Sequence, residues 1–176
     1  MTKKKKTYII VSSIFLLFII LDLILCYFIF FKKDQVETKK YQNKYIKFEY
    51  TDDYVIEEEN DNKILLGRDN KSGEINIVIT ELDDEILKRD NGFIISTALK
   101  KFEEENEDYF SNYYGKYEVD KYEVNDFLYD DGKNQIDLNY IVSNNKLVLI
   151  SYVNENKYFD LYEENVLDII NSIEVL

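Results

Sequence analysis

The side chains that could carry chemistry in this sequence are mainly carboxylates, because histidine is absent and only one cysteine is present. Without histidine, the chain cannot form a Ser-His-Asp or Cys-His catalytic group or a histidine-ligated metal site. A single cysteine also excludes an internal disulfide framework and a thiolate zinc site. The chemistry that remains is acid–base catalysis by two carboxyl groups, as in glycoside hydrolysis.

Neighbouring carboxylates occur in four clusters, most of them in segments with turn-like composition. The clusters are Asp52 and Asp53; Glu57, Glu58 and Glu59; Asp83, Asp84 and Glu85; and Asp130 and Asp131. A strongly acidic chain produces such neighbours by chance, so solvated surface charge explains them better than catalysis does. We therefore predict no catalytic residue, and we keep a carboxylate-dependent cell-envelope hydrolase as an alternative function.

Two of the turn-like segments carry oxygen atoms that would suit Ca²⁺. Residues 69–74 lack the alternating acids and the distant glutamate of a calcium-binding loop, and Asp130-Asp131-Gly132 is explained equally well as a turn. The five glycines are scattered, so they do not form a phosphate-binding loop. We predict no metal site and no cofactor, with calcium as the weaker alternative.

Tyrosine is the other abundant functional side chain, with 16 copies. Tyr113, Tyr114, Tyr117 and Tyr122 crowd one segment and form a candidate aromatic patch for a partner protein or an envelope component. The alternative is that these rings reflect composition and fill the core. The net charge of −13 makes the chain a poor nucleic-acid ligand, so we expect no nucleic-acid partner.

Charge and hydropathy divide the chain into a basic, apolar head and an acidic body. Residues 1–40 hold eight lysines and three acids, a net of +5, and the remaining 14 bases and 32 acids give −18. Residues 8–31 are apolar except for Ser12, Ser13 and Asp22, and lysines flank both ends. A helix of this length spans a hydrocarbon core of about 30 Å, so the pattern predicts one transmembrane helix.

The head is typical of an uncleaved signal-anchor, because its apolar run is longer than a signal-peptide core and no small-residue cleavage site follows it. We interpret residues 1–33 as a cytoplasmic basic tail and a membrane anchor, with the body outside the cytoplasm. Leu25 before Cys26 argues against a lipidated cysteine. Asp22 lies near the middle of the span and is a candidate contact with a partner helix in a membrane complex, or else a tolerated polar residue.

Before the body, residues 34–44 are polar and predict a linker. From residue 45, alternating apolar residues predict strands at 45–50, from 54, at 63–66 and at 74–80. A helical period then predicts an amphipathic helix over 92–113, capped by Asp90 or Asn91.

The second half of the body returns to strand spacing. The tetrapeptide Lys-Tyr-Glu-Val occurs at 116–119 and again at 121–124, an odd offset that predicts a bulge or bend near Asp120. Residues 130–133 and Asn144-Asn145 are turn signals, and the apolar run 147–153 predicts a central strand. A helical stripe after Asn156, its predicted cap, ends the chain. The order predicts an α+β domain over 45–176 with a mostly antiparallel sheet flanked by helices.

Two short motifs resemble the PsbP-like family, which includes the bacterial DcrB-type envelope proteins. Phe48-Glu49-Tyr50 followed by Tyr54 resembles the family's entry into its first hairpin, and Ile170-Asn171-Ser172-Ile173 resembles its closing signature. The resemblance covers residues 45–176 and implies an alpha-beta-alpha sandwich. It also implies a non-catalytic role, often beside a membrane or a larger complex.

Together these patterns predict a single-pass cell-membrane protein. Its acidic extracytoplasmic domain is expected to contact a protein or an envelope component without catalysing a reaction.

Overall fold

Ten strands and two α-helices follow one another in the computed structural model of the chain, which describes residues 37–68 and 73–176. The strands are β1 (Thr38–Gln42), β2 (Ile46–Thr51), β3 (Tyr54–Asn60), β4 (Lys63–Arg68), β5 (Glu74–Glu81), β6 (Phe110–Val119), β7 (Tyr122–Asp130), β8 (Asn134–Ser143), β9 (Lys146–Glu155) and β10 (Glu174–Val175). The helices are α1 (Asn91–Glu105) and α2 (Asn156–Ser172), and a short 3-10 helix spans Ile86–Lys88.

Seven strands form one antiparallel sheet in the order β3-β4-β5-β9-β8-β7-β6, and β1, β2 and β10 form a smaller sheet. The predicted central strand over 147–153 is confirmed, because β9 occupies the middle of the large sheet. The predicted turn at Asn144-Asn145 is confirmed as well. Both residues have positive φ, 48° and 59°, as the turn of a two-residue hairpin requires.

The two helices cover opposite faces of the large sheet. Along β9, Val148 and Ile150 belong to the core cluster that contains the apolar side of α2. Leu147 belongs to the cluster that contains Ile94 and Ile95 of α1. Alternate residues of a strand point to opposite faces, so the apolar run of β9 supplies both cores. The predicted α+β class with antiparallel strands and two helices is therefore confirmed.

Helix α1 is shorter than the prediction over 92–113. Asp90 caps its start, because its carboxylate accepts the N–H of Phe93 at 2.8 Å. The helix ends at Glu105, and the chain forms β6 from Phe110 onward. Tyr109 and Tyr113 continued the helical period by chance, and pairing with β7 decided the structure of this segment.

Three further predictions about local structure are corrected. The predicted linker over 34–44 is wrong for Thr38–Gln42, which pairs with β2 and buries Tyr41. Most of this strand is exposed, so its composition is polar. The predicted bend near Asp120 is the turn of a hairpin. The residue that caps α2 is Glu155, which makes no side-chain cap bond, and Asn156 is the first residue of the helix.

Part of the sequence predictions lies outside the described residues. These are the anchor over 1–33 with Asp22 and Cys26, and most of the weaker calcium candidate at 69–74. Among the helices of residues 37–68 and 73–176, none is long and apolar enough to span a bilayer.

Candidate binding surface on the edge strand

Strand β6 ends the large sheet, and in the described part of the chain it pairs only with β7. Alternate backbone groups of an antiparallel strand point to opposite sides, so half of its N–H and C=O groups face away from β7. The strand also exposes three large rings, with Phe110 71%, Tyr113 53% and Tyr114 53% accessible. A ten-residue edge with exposed apolar side chains is a template for another strand.

The two Lys-Tyr-Glu-Val copies meet at the turn end of the hairpin that β6 and β7 form. Tyr117 lies opposite Val124, and Val119 lies opposite Tyr122. Asp120 takes φ of 52° in the two-residue turn between the arms. The antiparallel pairing places Tyr117 and Val124 on the same face, so each copy supplies residues to one buried side.

Tyr114 lies on the α1 side of the edge. Its ring stacks on Phe127 with centroids 4.7 Å apart, and its hydroxyl donates to Asn125 Oδ1 at 3.4 Å. The ring also lines a groove of about 220 Å³ between the strands and α1, together with Ile95 and Leu99. This groove could receive one apolar side chain of a bound strand.

Tyr113 lies on the other face, opposite Leu128 in the register. Its ring extends over Gly115, where the Cβ of any larger residue would collide with the Tyr113 hydroxyl oxygen. Glycine at this position therefore leaves the space that the Tyr113 ring occupies. The ring stays half-exposed beside the edge, where a partner can reach it.

The other two predicted patch residues are structural. Tyr122 is 4% exposed, and its hydroxyl accepts the N–H of Val175 at 2.9 Å, so it does not belong to an exposed patch. Tyr117 is half-buried and donates to Asn139 Oδ1 at 2.9 Å. Burial and then the nearby Asp137 carboxyl raise its pKa well above the ordinary value. Phe110 was not among the predicted patch residues, because the helical period predicted a helix over residues 92–113.

The edge is electrically neutral although the body is strongly acidic. Lys116 and Glu118 are the charged residues within β6. Lys116 forms an ion pair with Glu123 of β7 at 2.9 Å. Glu118 is exposed and keeps its charge, so β6 itself holds one base and one acid and has no net charge to repel an approaching strand.

Two of the predicted carboxylate clusters stabilise local turns. Asp83 accepts the N–H groups of Glu85 and Ile86 at the start of the 3-10 helix. In the β7–β8 turn, the backbone N–H groups of Asn134 and Lys133 lower the pKa of Asp131 to about 2. Among the described residues, no three acidic, histidine or cysteine side chains are placed to hold a metal ion.

The structure instead brings together two carboxyl groups outside the four predicted clusters. Asp126 of β7 lies opposite Asn139 and Asp137 of β8 lies opposite Leu128, so the two carboxyl groups are diagonal neighbours on the face that α2 covers. Their alternation with apolar residues resembled an ordinary polar face, so only the strand register reveals them. Asp137 is 6% exposed, which leaves no room for a polysaccharide at this pair.

Comparison with known proteins identifies the fold. No family model matches the sequence, and no curated protein is significantly similar to it. Among solved structures, cyanobacterial PsbP (CyanoP) from Synechocystis aligns with a TM-score of 0.61 and 9% identity, over 82% of this chain and 96% of that protein. LpqN of Mycobacterium tuberculosis, described as involved in cell envelope biogenesis, aligns with a TM-score of 0.51 and 9% identity, over 82% and 93% of the two chains.

A third structure, from Bacteroides thetaiotaomicron, aligns with a TM-score of 0.55 and 14% identity. The alignment covers 78% of this chain and 48% of that one, so the shared fold is about half of the Bacteroides protein. These likenesses confirm the fold that the motifs at Phe48 and Ile170 indicated. The chain has the PsbP-like fold.

Proposed function

We propose that this protein is a membrane-anchored accessory protein of the bacterial cell envelope, and that its extracytoplasmic domain binds an extended segment of another protein along β6. The observation that carries the proposal is the neutral, aromatic edge of β6 at the end of the large sheet. An added strand would pair with the outward backbone groups, and pockets beside the edge would select its side chains.

The position of the two exposed tyrosines supports recognition on both faces of the added strand. Tyr114 and the groove beside α1 would contact residues on one face, and Tyr113 would contact those on the other. The charge of −18 over residues 41–176 attracts basic chains at long range. The partner segment is therefore expected to be apolar where it pairs with β6 and basic on either side.

The anchor and the location belong to the same proposal. Residues 1–33 have the length and flanking lysines of a signal-anchor, and the PsbP-like fold is shared with LpqN, which is described as involved in cell envelope biogenesis. Protease added to intact cells should digest residues 41–176 if the domain lies outside the membrane. Protection of the domain in intact cells, with digestion after lysis, would contradict this orientation.

The binding surface is tested by photo-crosslinking in intact cells. A photoreactive amino acid replaces Tyr113 on β6 or, as a matched control, Val55 on β3, which is 62% exposed at the opposite end of the sheet. We expect one discrete product at position 113, with crosslinked peptides from a single segment of one protein. Equal products at both positions, or none at position 113, would contradict binding along β6.

A further inference from the structure

The inner face of β6 connects the proposed binding edge to a buried acidic pair. Tyr117 donates to Asn139 Oδ1 at 2.9 Å, and Asn139 Nδ2 donates to Asp137 Oδ2 at 2.7 Å. Asn139 is 1% exposed and Asp137 is 6% exposed. The side chain that holds the middle of β6 against the domain is therefore fixed by a buried carboxyl group.

The second oxygen of Asp137 lacks an ordinary hydrogen-bond donor among the described residues. Oδ1 is buried, and no N–H or hydroxyl group in the described part of the chain donates to it. The group beside it is the Asp126 carboxyl on the neighbouring strand, two residues along the register on the same face. Two carboxylates only accept hydrogen bonds, so a hydrogen bond between these two groups would need a proton on one of them.

The surroundings of the pair contain acidic and phenolic groups. Glu163 of α2 faces the pair, with Asp160 of the same helix beside it. Tyr117 approaches from β6, and Tyr152 of β9 lies opposite Asp137 in the register. The largest influences on both carboxyl groups are burial and their contact with each other, and these raise the pKa of Asp137 well above its usual range.

We propose that Asp126 and Asp137 hold one proton between them in the folded domain, and that loss of this proton releases the β6–β7 hairpin from β8. Two carboxylates on adjacent strands would repel each other and would also face Glu163. Separation of β7 from β8 and α2 relieves this repulsion. The consequence that pH controls the binding edge rests on the proposed function; the shared proton and the opening do not.

The direction in which pH changes the stability of the hairpin follows from proton linkage. The folded pair binds a proton that an unfolded or opened aspartate, with a pKa near 3.9, would release. The stabilisation is complete below that ordinary value and is lost as pH rises through the raised pKa of the folded pair. Within this window, opening should become up to about tenfold more favourable for each pH unit, and it should level off above the folded pKa.

Hydrogen exchange on the full chain in mild detergent tests the proposal between pH 5 and 9, after correction for intrinsic exchange rates. We expect protection of Phe110–Val119 to fall by up to about tenfold per pH unit within the window. Asp137→Asn keeps the shape of the side chain and donates to Asp126 without a titrating proton, so its protection should be independent of pH. Asp126→Asn is the second variant, and Asp84→Asn, an exposed carboxyl of the same type, should behave as wild type.

Two results would overturn the proposal: wild-type protection that does not change with pH, or a wild-type slope retained in both Asp137→Asn and Asp126→Asn. Crosslinking at position 113, measured at the same pH values, separates the two proposals. Protection from hydrogen exchange that changes with pH, without a crosslinked product, supports the shared proton and overturns the proposed function. Constant protection with an intact product overturns the shared proton alone.

Discussion

The two ends of the large sheet share a geometry and differ in charge. Strands β3 and β6 each pair with one neighbour in that sheet, and each carries a register irregularity, between Ile56 and Glu58 in β3 and between Ser111 and Tyr113 in β6. Bulges of this kind twist an edge away from other chains. From the bulge onward, β3 presents consecutive glutamates, whereas β6 presents aromatic rings.

The difference shows which end of the sheet is protected against pairing with another chain. Glu57, Glu58 and Glu59 are exposed along β3. Glu58 pairs with Lys63 at 2.7 Å, and Glu57 and Glu59 present like charge to a second copy or an acidic chain. Contacts with the small sheet restrain β3 further, because Tyr41 donates to Glu59 at 2.8 Å. Burial, followed by this hydrogen bond, raises the pKa of Tyr41 to about 12. Strand β6 has neither consecutive glutamates nor a described contact of this kind with the small sheet. An added strand should therefore pair more favourably with β6 than with β3.

The largest effect is expected when β6 is given the charge of β3. Tyr113→Glu with Tyr114→Glu should reduce crosslinking from a photoreactive residue at Phe110 by about tenfold or more, since aromatic anchors dominate interface energies. Val55→Glu on β3 is the matched control and should leave the yield unchanged. An unchanged yield in the double variant would show that β6 is not the binding edge.

Substitutions on the two sides of β6 should differ in their effect on the stability of the domain. Tyr117→Phe removes the donor to Asn139 and leaves a buried acceptor, so it should lower the free energy of unfolding by about 1–2 kcal/mol. Tyr113→Phe, on the same strand but half-exposed, should stay within about 0.5 kcal/mol of wild type. Urea unfolding of the full chain in mild detergent measures both, and equal values would contradict the division of β6 into an inner and an outer side.

Removing charge from β3 should make the two ends of the sheet more alike. Glu57→Thr with Glu58→Thr should strengthen self-association by about 1 kcal/mol, or roughly fivefold, because like charges across paired strands are destabilising. Glu104→Thr with Glu107→Thr removes the same charge from an exposed segment outside the sheet. Sedimentation velocity compares the pairs, and equal association would indicate that net charge, not the edge, keeps the chains apart.

Sequence patterns predicted the parts of the fold that local chemistry determines. The cap at Asp90, the turn at Asn144-Asn145 and the central strand β9 each follow from a few neighbouring residues. The end of α1 does not, because Tyr109 and Tyr113 satisfy a helical period and are taken by a strand that pairs with distant residues. Similarly, β1 has a polar composition and becomes a strand only because β2 is available as its partner.

The candidate site was predictable only in part, for the same reason. The crowding of aromatic residues identified Tyr113 and Tyr114, but their exposure depends on the position of β6 at the end of the sheet. Tyr122 has the same composition signal and is buried against Val175. The Asp126–Asp137 pair depends on strand register, and a shift of one residue would place these carboxyl groups on opposite faces.

The smallest effect is expected at the β7–β8 turn. This turn lies away from both ends of the sheet, so it serves as a reference for the variants in β3 and β6. The pKa of Asp131 is lowered to about 2 by backbone N–H groups that its carboxylate accepts. The carboxylate therefore stabilises the fold above the unfolded aspartate pKa of about 3.9, and this contribution is lost as pH falls through about 2. Asp131→Asn removes the titrating group, so urea unfolding of the variant should depend less on pH between about 4 and 2 than wild type does.

Asp84→Asn should keep the wild-type dependence, and an identical acid profile in the Asp131 variant would show that the turn does not contribute. Because this turn is held by its own backbone, neither the Tyr113 and Tyr114 variants nor the Glu57 and Glu58 variants should alter that profile.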